Sequence, residues 1–77
     1  MPITSKQQKI YQFISGVIQS TGQAPTIAEI GRHFQMKSSA SVHQVLAILE
    51  REGRIKRIPN VSRGIQVVEL NAMVREL

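Results

Sequence analysis

Residues 26–53 constrain the fold of this chain more than any other segment. They read TIAEIGRHFQMKSSASVHQVLAILEREG, which is a capped helix, a brief polar turn, and a second capped helix that begins with small hydroxyl residues. This order of elements predicts a helix-turn-helix, in which the second helix can enter the DNA major groove and present its first turn to base edges. Residues 54–68 follow as a basic segment rich in β-branched residues.

Residue pairs with capping-box spacing mark where the first two helices begin. Thr4 and Gln7 are three residues apart, and Thr26 and Glu29 repeat that spacing. At such a spacing each side chain satisfies a backbone N–H that a helix start leaves unpaired. The sequence therefore predicts a first helix that begins after Thr4 and a second that begins after Thr26.

The third helix and the segment after it complete the predicted fold. Ser38 or Ser39 is the expected N-cap, and Gly53 stands where a left-handed residue ends a helix. Strands over residues 55–58 and 65–70, joined by a turn over residues 60–64, form a hairpin, the wing. The predicted fold class is α+β, mainly α: a three-helix winged helix-turn-helix with a C-terminal two-stranded β-hairpin wing. This domain spans residues 1–70, and residues 71–77 form a tail that is frayed or weakly helical.

Composition limits the classes of protein to which the chain can belong. Its 77 residues suit one small domain, and the lack of cysteine leaves no disulfide framework and no thiol-based zinc site. No stretch approaches the roughly 20 apolar residues that a membrane-spanning helix needs, and the start has no signal-peptide pattern. We therefore expect a soluble, cytoplasmic protein with no membrane partner.

Charge is concentrated in the second half of the chain. The formal net charge is +5, and residues 37–68 alone carry six Lys and Arg against two Glu. A field of this sign favours a polyanion as partner. Because the basic segment coincides with the predicted recognition helix and wing, the expected partner is double-stranded DNA.

The start of the third helix supplies the candidate base-reading residues. Short side chains there let the backbone approach DNA closely, and their hydroxyls can bond phosphates or bases. Gln can bond adenine in a bidentate manner, and His can donate to guanine or to phosphate. The plainer alternative is that the serines serve only as caps and that the other two are ordinary exposed side chains. The candidates are Ser38, Ser39, Ala40, Ser41, His43 and Gln44.

Five cations are candidate phosphate contacts, from the wing and from the turn before the third helix. On the wing they would meet phosphates or reach an adjacent minor groove. The alternative is a solvated strand face that binds nothing. The five cations are Lys37, Arg54, Lys56, Arg57 and Arg63.

Catalysis has little support in this sequence. The two histidines, His33 and His43, fall on different predicted helices, and neither paired acids nor a glycine-rich phosphate loop is present. The prediction is therefore a protein that is not an enzyme and that uses no cofactor and no metal.

The chain resembles the N-terminal DNA-binding domain of the LexA family of SOS-response repressors. The matching segments are TSKQQKIYQFI, TGQAPTIAEIGRHF, SSASVHQVLAILEREGRI and SRGIQVVEL, which together cover most of residues 4–70. The resemblance implies a winged helix-turn-helix that occupies operators near promoters. It also implies a wing between Ile58 and Ile65, and recognition contacts from Ser38, Ala40, Ser41, His43 and Gln44.

The expected function is that of a sequence-specific transcriptional repressor of the LexA type, without the autoprotease domain that full LexA proteins carry. A palindromic operator and a homodimer on DNA would compensate for the few contacts that one small module makes. One alternative is a winged helix used as a protein-interaction module, since fold alone does not fix function. Another is a replication or partition factor of a phage or plasmid.

Overall fold

The computed structural model describes residues 4–68, which form three helices and then a two-stranded antiparallel hairpin. This architecture confirms the predicted mainly α winged helix-turn-helix. Within residues 4–68, no helix combines the length and apolar character that crossing a membrane requires. The elements are α1 (Ser5–Thr21), α2 (Ile27–His33), α3 (Ser39–Arg51), β1 (Ile55–Arg57) and β2 (Ile65–Val67).

Both predicted capping boxes are present at the starts of α1 and α2. The Thr4 hydroxyl accepts from the Gln7 backbone N–H at 3.2 Å, and the Gln7 side chain accepts from the Thr4 N–H at 2.9 Å. Thr26 and Glu29 make the same reciprocal pair at 3.1 and 2.9 Å. Each box satisfies two backbone donors that a helix start would otherwise leave unpaired.

Ser38 is the N-cap of α3, and its hydroxyl accepts from the Ser41 N–H at 3.4 Å. Beyond the other end of the helix, Gly53 has a φ of 76°, as expected for a left-handed residue after the last turn. Gln35, in the turn between α2 and α3, also takes a left-handed φ, of 54°. The Met36 N–H then donates to the Gly31 carbonyl at 2.8 Å, which closes the turn and fixes where α3 begins.

The core lies where the three helices and the inner face of the hairpin meet. α1 and α3 contribute core residues at helical spacing, α2 contributes Ile30, the loop before it contributes Ala24, and each strand contributes its first residue. Burial of these side chains holds the first turn of α3 in place on the surface. The core residues are Ile10, Ile14, Ala24, Ile30, Val42, Leu46, Leu49, Ile55 and Ile65.

The wing is shorter than the sequence predicts. The Ile58 N–H still donates to the Gly64 carbonyl at 2.7 Å, but the Gly64 N–H donates to the Val61 carbonyl at 3.1 Å within the loop, so the strand pairing stops at Arg57. β2 covers Ile65–Val67, whereas the prediction ran to residue 70; residues 69–70 and the predicted tail at 71–77 lie outside the described residues. In the antiparallel register Lys56 lies opposite Gln66, and both are exposed.

Candidate nucleic-acid interface

The first two turns of α3 present their polar residues on one exposed surface. Val42, Leu46 and Leu49 are fully buried on the opposite side of the helix, which turns the remaining positions outward. Ser41 is half-buried, and the other five residues are exposed. We call this surface the recognition face; it comprises the predicted residues Ser38, Ser39, Ala40, Ser41, His43 and Gln44.

Ser38 is occupied as a cap, as the plainer interpretation of the serines requires. Its hydroxyl oxygen lies 3.3 Å from the Ser41 hydroxyl in addition to accepting from the Ser41 backbone. A hydroxyl carries one donor and two acceptor positions, so capping does not use up its capacity to bind DNA. Contact of these serines with DNA remains a prediction.

An open cleft of about 400 Å³ lies between α3 and the wing. His43, Leu46 and Glu50 line it from the helix, at a spacing that places them on one side of α3. The wing loop lines the other wall, where Ile58 and Val61 are 39% and 54% exposed. The recognition face and the wing loop therefore border one concave surface.

Lys56 and Arg57, predicted from the sequence as one set of wing cations, lie on opposite faces of the hairpin. Successive strand residues alternate, so Lys56 is exposed while Arg57 turns toward α3. There the Arg57 guanidinium donates to Glu50 at 3.1 Å, and its backbone N–H donates to the same carboxylate at 3.2 Å. Hydrogen bonds from the Arg57 backbone and then its side chain lower the pKa of Glu50.

Arg63 is also engaged within the domain. Its guanidinium donates to both carboxylate oxygens of Glu29, at 2.8 and 3.1 Å, and to the Ala24 carbonyl at 3.0 Å. The hydrogen bond from Arg63, followed by that from the Thr26 backbone, lowers the pKa of Glu29, and the same pairing raises the pKa of Arg63. The Glu29 carboxylate therefore offsets the positive charge of Arg63, which the sequence predicted to contact phosphate.

The other three predicted cations differ in their surroundings. The Arg54 guanidinium carbon lies 5.9 Å from the centroid of the Tyr11 ring on α1, in the range of a cation–π contact. Lys37 and Lys56 are exposed, and no carboxylate among residues 4–68 pairs with either. These two lysines are therefore the predicted cations whose charge is most available to a phosphate backbone.

Arg32 is a further candidate contact, which was not predicted from the sequence. It is exposed in the last turn of α2 and borders a shallow cleft together with Lys37, Ser38 and Ser39. Its position at the end of the first helix of the unit, just before the turn, was the available signal. Within residues 4–68, no three His, Cys, Asp or Glu side chains are grouped so that they could hold a metal ion.

The sequence of the chain is similar to those of known repressors. The chain is 43% identical over 68 residues to the LexA repressor of Colwellia psychrerythraea, covering 88% of this chain and 32% of that protein. It is 40% identical over 70 residues to the LexA repressor of Listeria welshimeri, covering 91% of this chain and 34% of that protein. The chain thus spans about a third of the length of these relatives. Residues 1–64 match the LexA DNA binding domain family, and the chain belongs to that family.

Proposed function

We propose that this chain binds double-stranded DNA in a sequence-specific manner and represses transcription by occupying an operator. The observation that carries the proposal is the exposed recognition face of α3, bordered by cations that pair with no carboxylate within residues 4–68, in a LexA-family domain. The two relatives described above are LexA repressors. The role is one of binding, without catalysis, cofactor or metal.

In this proposal α3 lies in the major groove with its first turn toward the bases. Gln44 bonds adenine in a bidentate manner, His43 donates to a guanine acceptor or a phosphate, and the Ala40 methyl contacts a thymine methyl. The hydroxyls of Ser38, Ser39 and Ser41 bond phosphates or base edges at the helix N-terminus.

The contacts with the DNA backbone come chiefly from cations that have no carboxylate partner among residues 4–68. Lys37 and Arg32 flank the start of α3, and Lys56 lies on the outward face of the wing. Arg54, Arg57 and Arg63 contribute less to phosphate binding, because each is engaged by another part of the domain. Two chains on a palindromic operator, as a homodimer on DNA, would double this modest set of contacts.

The proposal is tested by selecting binding sites from random duplexes with the 77-residue chain, and then repeating the selection with Gln44→Ala. We expect a defined consensus for the parent and loss of preference at one or two base pairs for the variant. Gln12→Ala is the matched control, because Gln12 is exposed and belongs to α1, not to the recognition face on α3. No enrichment of any sequence by the parent would reject specific DNA binding, and an unchanged consensus would reject the role of Gln44.

A different signature is expected for Lys56→Gln. Loss of one phosphate contact weakens binding to all sequences alike and lowers the slope of log affinity against log salt by about 1. The consensus should not change. Anisotropy titrations of the selected duplex and a scrambled duplex at several salt concentrations measure both quantities, and an unaltered slope would exclude Lys56 from the phosphate contacts.

The alternative use of the domain as a protein-interaction module has one observation in its favour. A docking face needs apolar side chains in contact with solvent, and Ile58 and Val61 of the wing loop are exposed in this way. In that case the random-duplex selection yields no consensus, and the chain binds duplexes of unrelated sequence with equal affinity.

A further inference from the structure

We propose that Arg63 is a positioning residue, which clamps the wing loop to the start of α2 and so sets where the wing lies relative to the recognition face. The inference rests on the proposed function and deepens it, because it assigns Arg63 a task other than binding phosphate. The clamp comprises Arg63, Glu29, Thr26 and the Ala24 carbonyl.

The geometry of the pair is that of a fixed fork. The two terminal nitrogens of Arg63 each meet a different oxygen of Glu29, at 2.8 and 3.1 Å, and one of them also donates to the Ala24 carbonyl at 3.0 Å. A bidentate pair of this kind fixes orientation as well as distance, because the guanidinium is planar and its donors are preorganised. Arg63 is 34 residues from Glu29 and 39 from Ala24, so the contacts join distant parts of the chain.

The acceptor side of the clamp is itself held in place. The Glu29 oxygen that accepts from Arg63 at 2.8 Å also accepts from the Thr26 backbone N–H at 2.9 Å. Thr26 in turn caps the helix by accepting from the Glu29 N–H. The carboxylate therefore cannot follow Arg63 without breaking the start of α2.

The donor side is rigid because of Gly64, the next residue. A Cβ at Gly64 would lie 2.7 Å from the Ile58 carbonyl oxygen, so the backbone at the two ends of the wing loop is in close contact. The Ile58 N–H also donates to the Gly64 carbonyl at 2.7 Å. A shift of Arg63 must therefore move the whole loop between Ile58 and Gly64, including the exposed wing tip.

Glu29→Gln separates this role from a phosphate contact by the sign of its effect. Gln at this position can keep the capping box, as Gln7 does at the start of α1. It removes the negative charge and one of the two oxygens that accept from Arg63. If Arg63 bound phosphate, releasing it from Glu29 and removing one negative charge would strengthen DNA binding. If Arg63 positions the wing, Glu29→Gln weakens binding.

The experiment measures the affinity of the 77-residue chain for its selected duplex, at several salt concentrations, for Glu29→Gln, Arg63→Met, Arg63→Lys and the double variant Glu29→Gln with Arg63→Met. We expect each single variant to weaken binding by about tenfold, with the salt slope of the parent. The double variant should bind no more weakly than the weaker-binding of Glu29→Gln and Arg63→Met, because both remove the same interaction. Arg63→Lys keeps the charge but loses the fork, and so it should also bind less tightly.

Hydroxyl-radical footprinting separates wing position from loss of fold. A misplaced wing removes protection at the flanking positions and keeps it at the bases contacted by α3, whereas partial unfolding weakens all positions together. Tighter or unchanged binding by Glu29→Gln, or a salt slope lowered by about 1 in Arg63→Met with full affinity in Arg63→Lys, would overturn the clamp. A parent that does not distinguish the selected duplex from a scrambled one would instead reject the proposed function.

Discussion

Gly64 and Gly16 differ in the space that an added methyl group would find, and so in how substitution by alanine should affect stability. Gly64 is buried in the loop closure, and a methyl group there would lie 2.7 Å from the Ile58 carbonyl and 3.0 Å from both Cβ and O of Val61. Gly16 is exposed in the middle of α1, and a methyl group there would meet nothing within 4 Å. The same substitution should therefore have opposite effects at the two positions.

We expect Gly64→Ala to lower the free energy of unfolding by about 1–3 kcal/mol, because backbone atoms must move to accept the methyl group. Gly16→Ala should raise it by about 1 kcal/mol, since alanine has the higher helix propensity. Urea denaturation followed by circular dichroism measures both values. A Gly64→Ala chain as stable as the parent would show that the loop closes with more room than its atomic distances indicate.

Among the elements, α2 depends most on its ends. It has only seven residues, fewer than an isolated helix needs for stability in water, so its cap and its packing against α3 must maintain it. Thr26 supplies the cap, and Glu29 links the same turn to the wing through Arg63. The start of α2 is therefore one of the points at which the helix-turn-helix and the wing are joined.

Thr26→Ala should lower the free energy of unfolding by about 1 kcal/mol, because the Glu29 N–H loses its acceptor. Thr26→Ser keeps the hydroxyl and should stay close to the parent. The two variants are compared by chemical denaturation at neutral pH. Equal losses in both would attribute the effect to the Thr26 methyl group and not to the cap.

The elements that the sequence predicted are those whose signals are local. Capping boxes join residues three apart, and the left-handed Gly53 follows directly after its helix, so neither needs the tertiary fold. The alternation of Lys56 and Arg57 was equally local and could have been foreseen from strand geometry. The pairing of Arg63 with Glu29 could not, because only the packed domain brings residues 34 positions apart together.

At the scale of the part of the molecule that the structure describes, two carboxylates secure the wing. Glu50 holds Arg57 from α3, and Glu29 holds Arg63 from α2, so both helices of the helix-turn-helix are tied to the hairpin by ion pairs. Both pairs are partly exposed to solvent, which limits what each contributes to stability. Their joint effect should nevertheless be visible in how stability depends on pH.

Folding lowers the pKa of Glu29 and Glu50 below the ordinary value of 4.5. The stability that these carboxylates contribute is therefore fully present above that value and is lost as the pH falls through their lower folded values. We expect the melting temperature to fall between about pH 5 and pH 3, and to fall less in the double variant Glu29→Gln with Glu50→Gln. Equal pH dependence in both chains would show that other groups govern acid unfolding.

The loop closure at Gly64 determines which residues of the wing loop can be substituted without a change in the fold. Residues 59–62 project from a frame that is locked on both sides, and all four are exposed to solvent. Only Asn60, with a φ of 66°, has a backbone that restricts its replacement. The side chains of Pro59, Val61 and Ser62 can therefore be exchanged while the loop closure stays intact. Substitutions at these three positions are the simplest way to alter the contacts that we propose between the wing and flanking DNA.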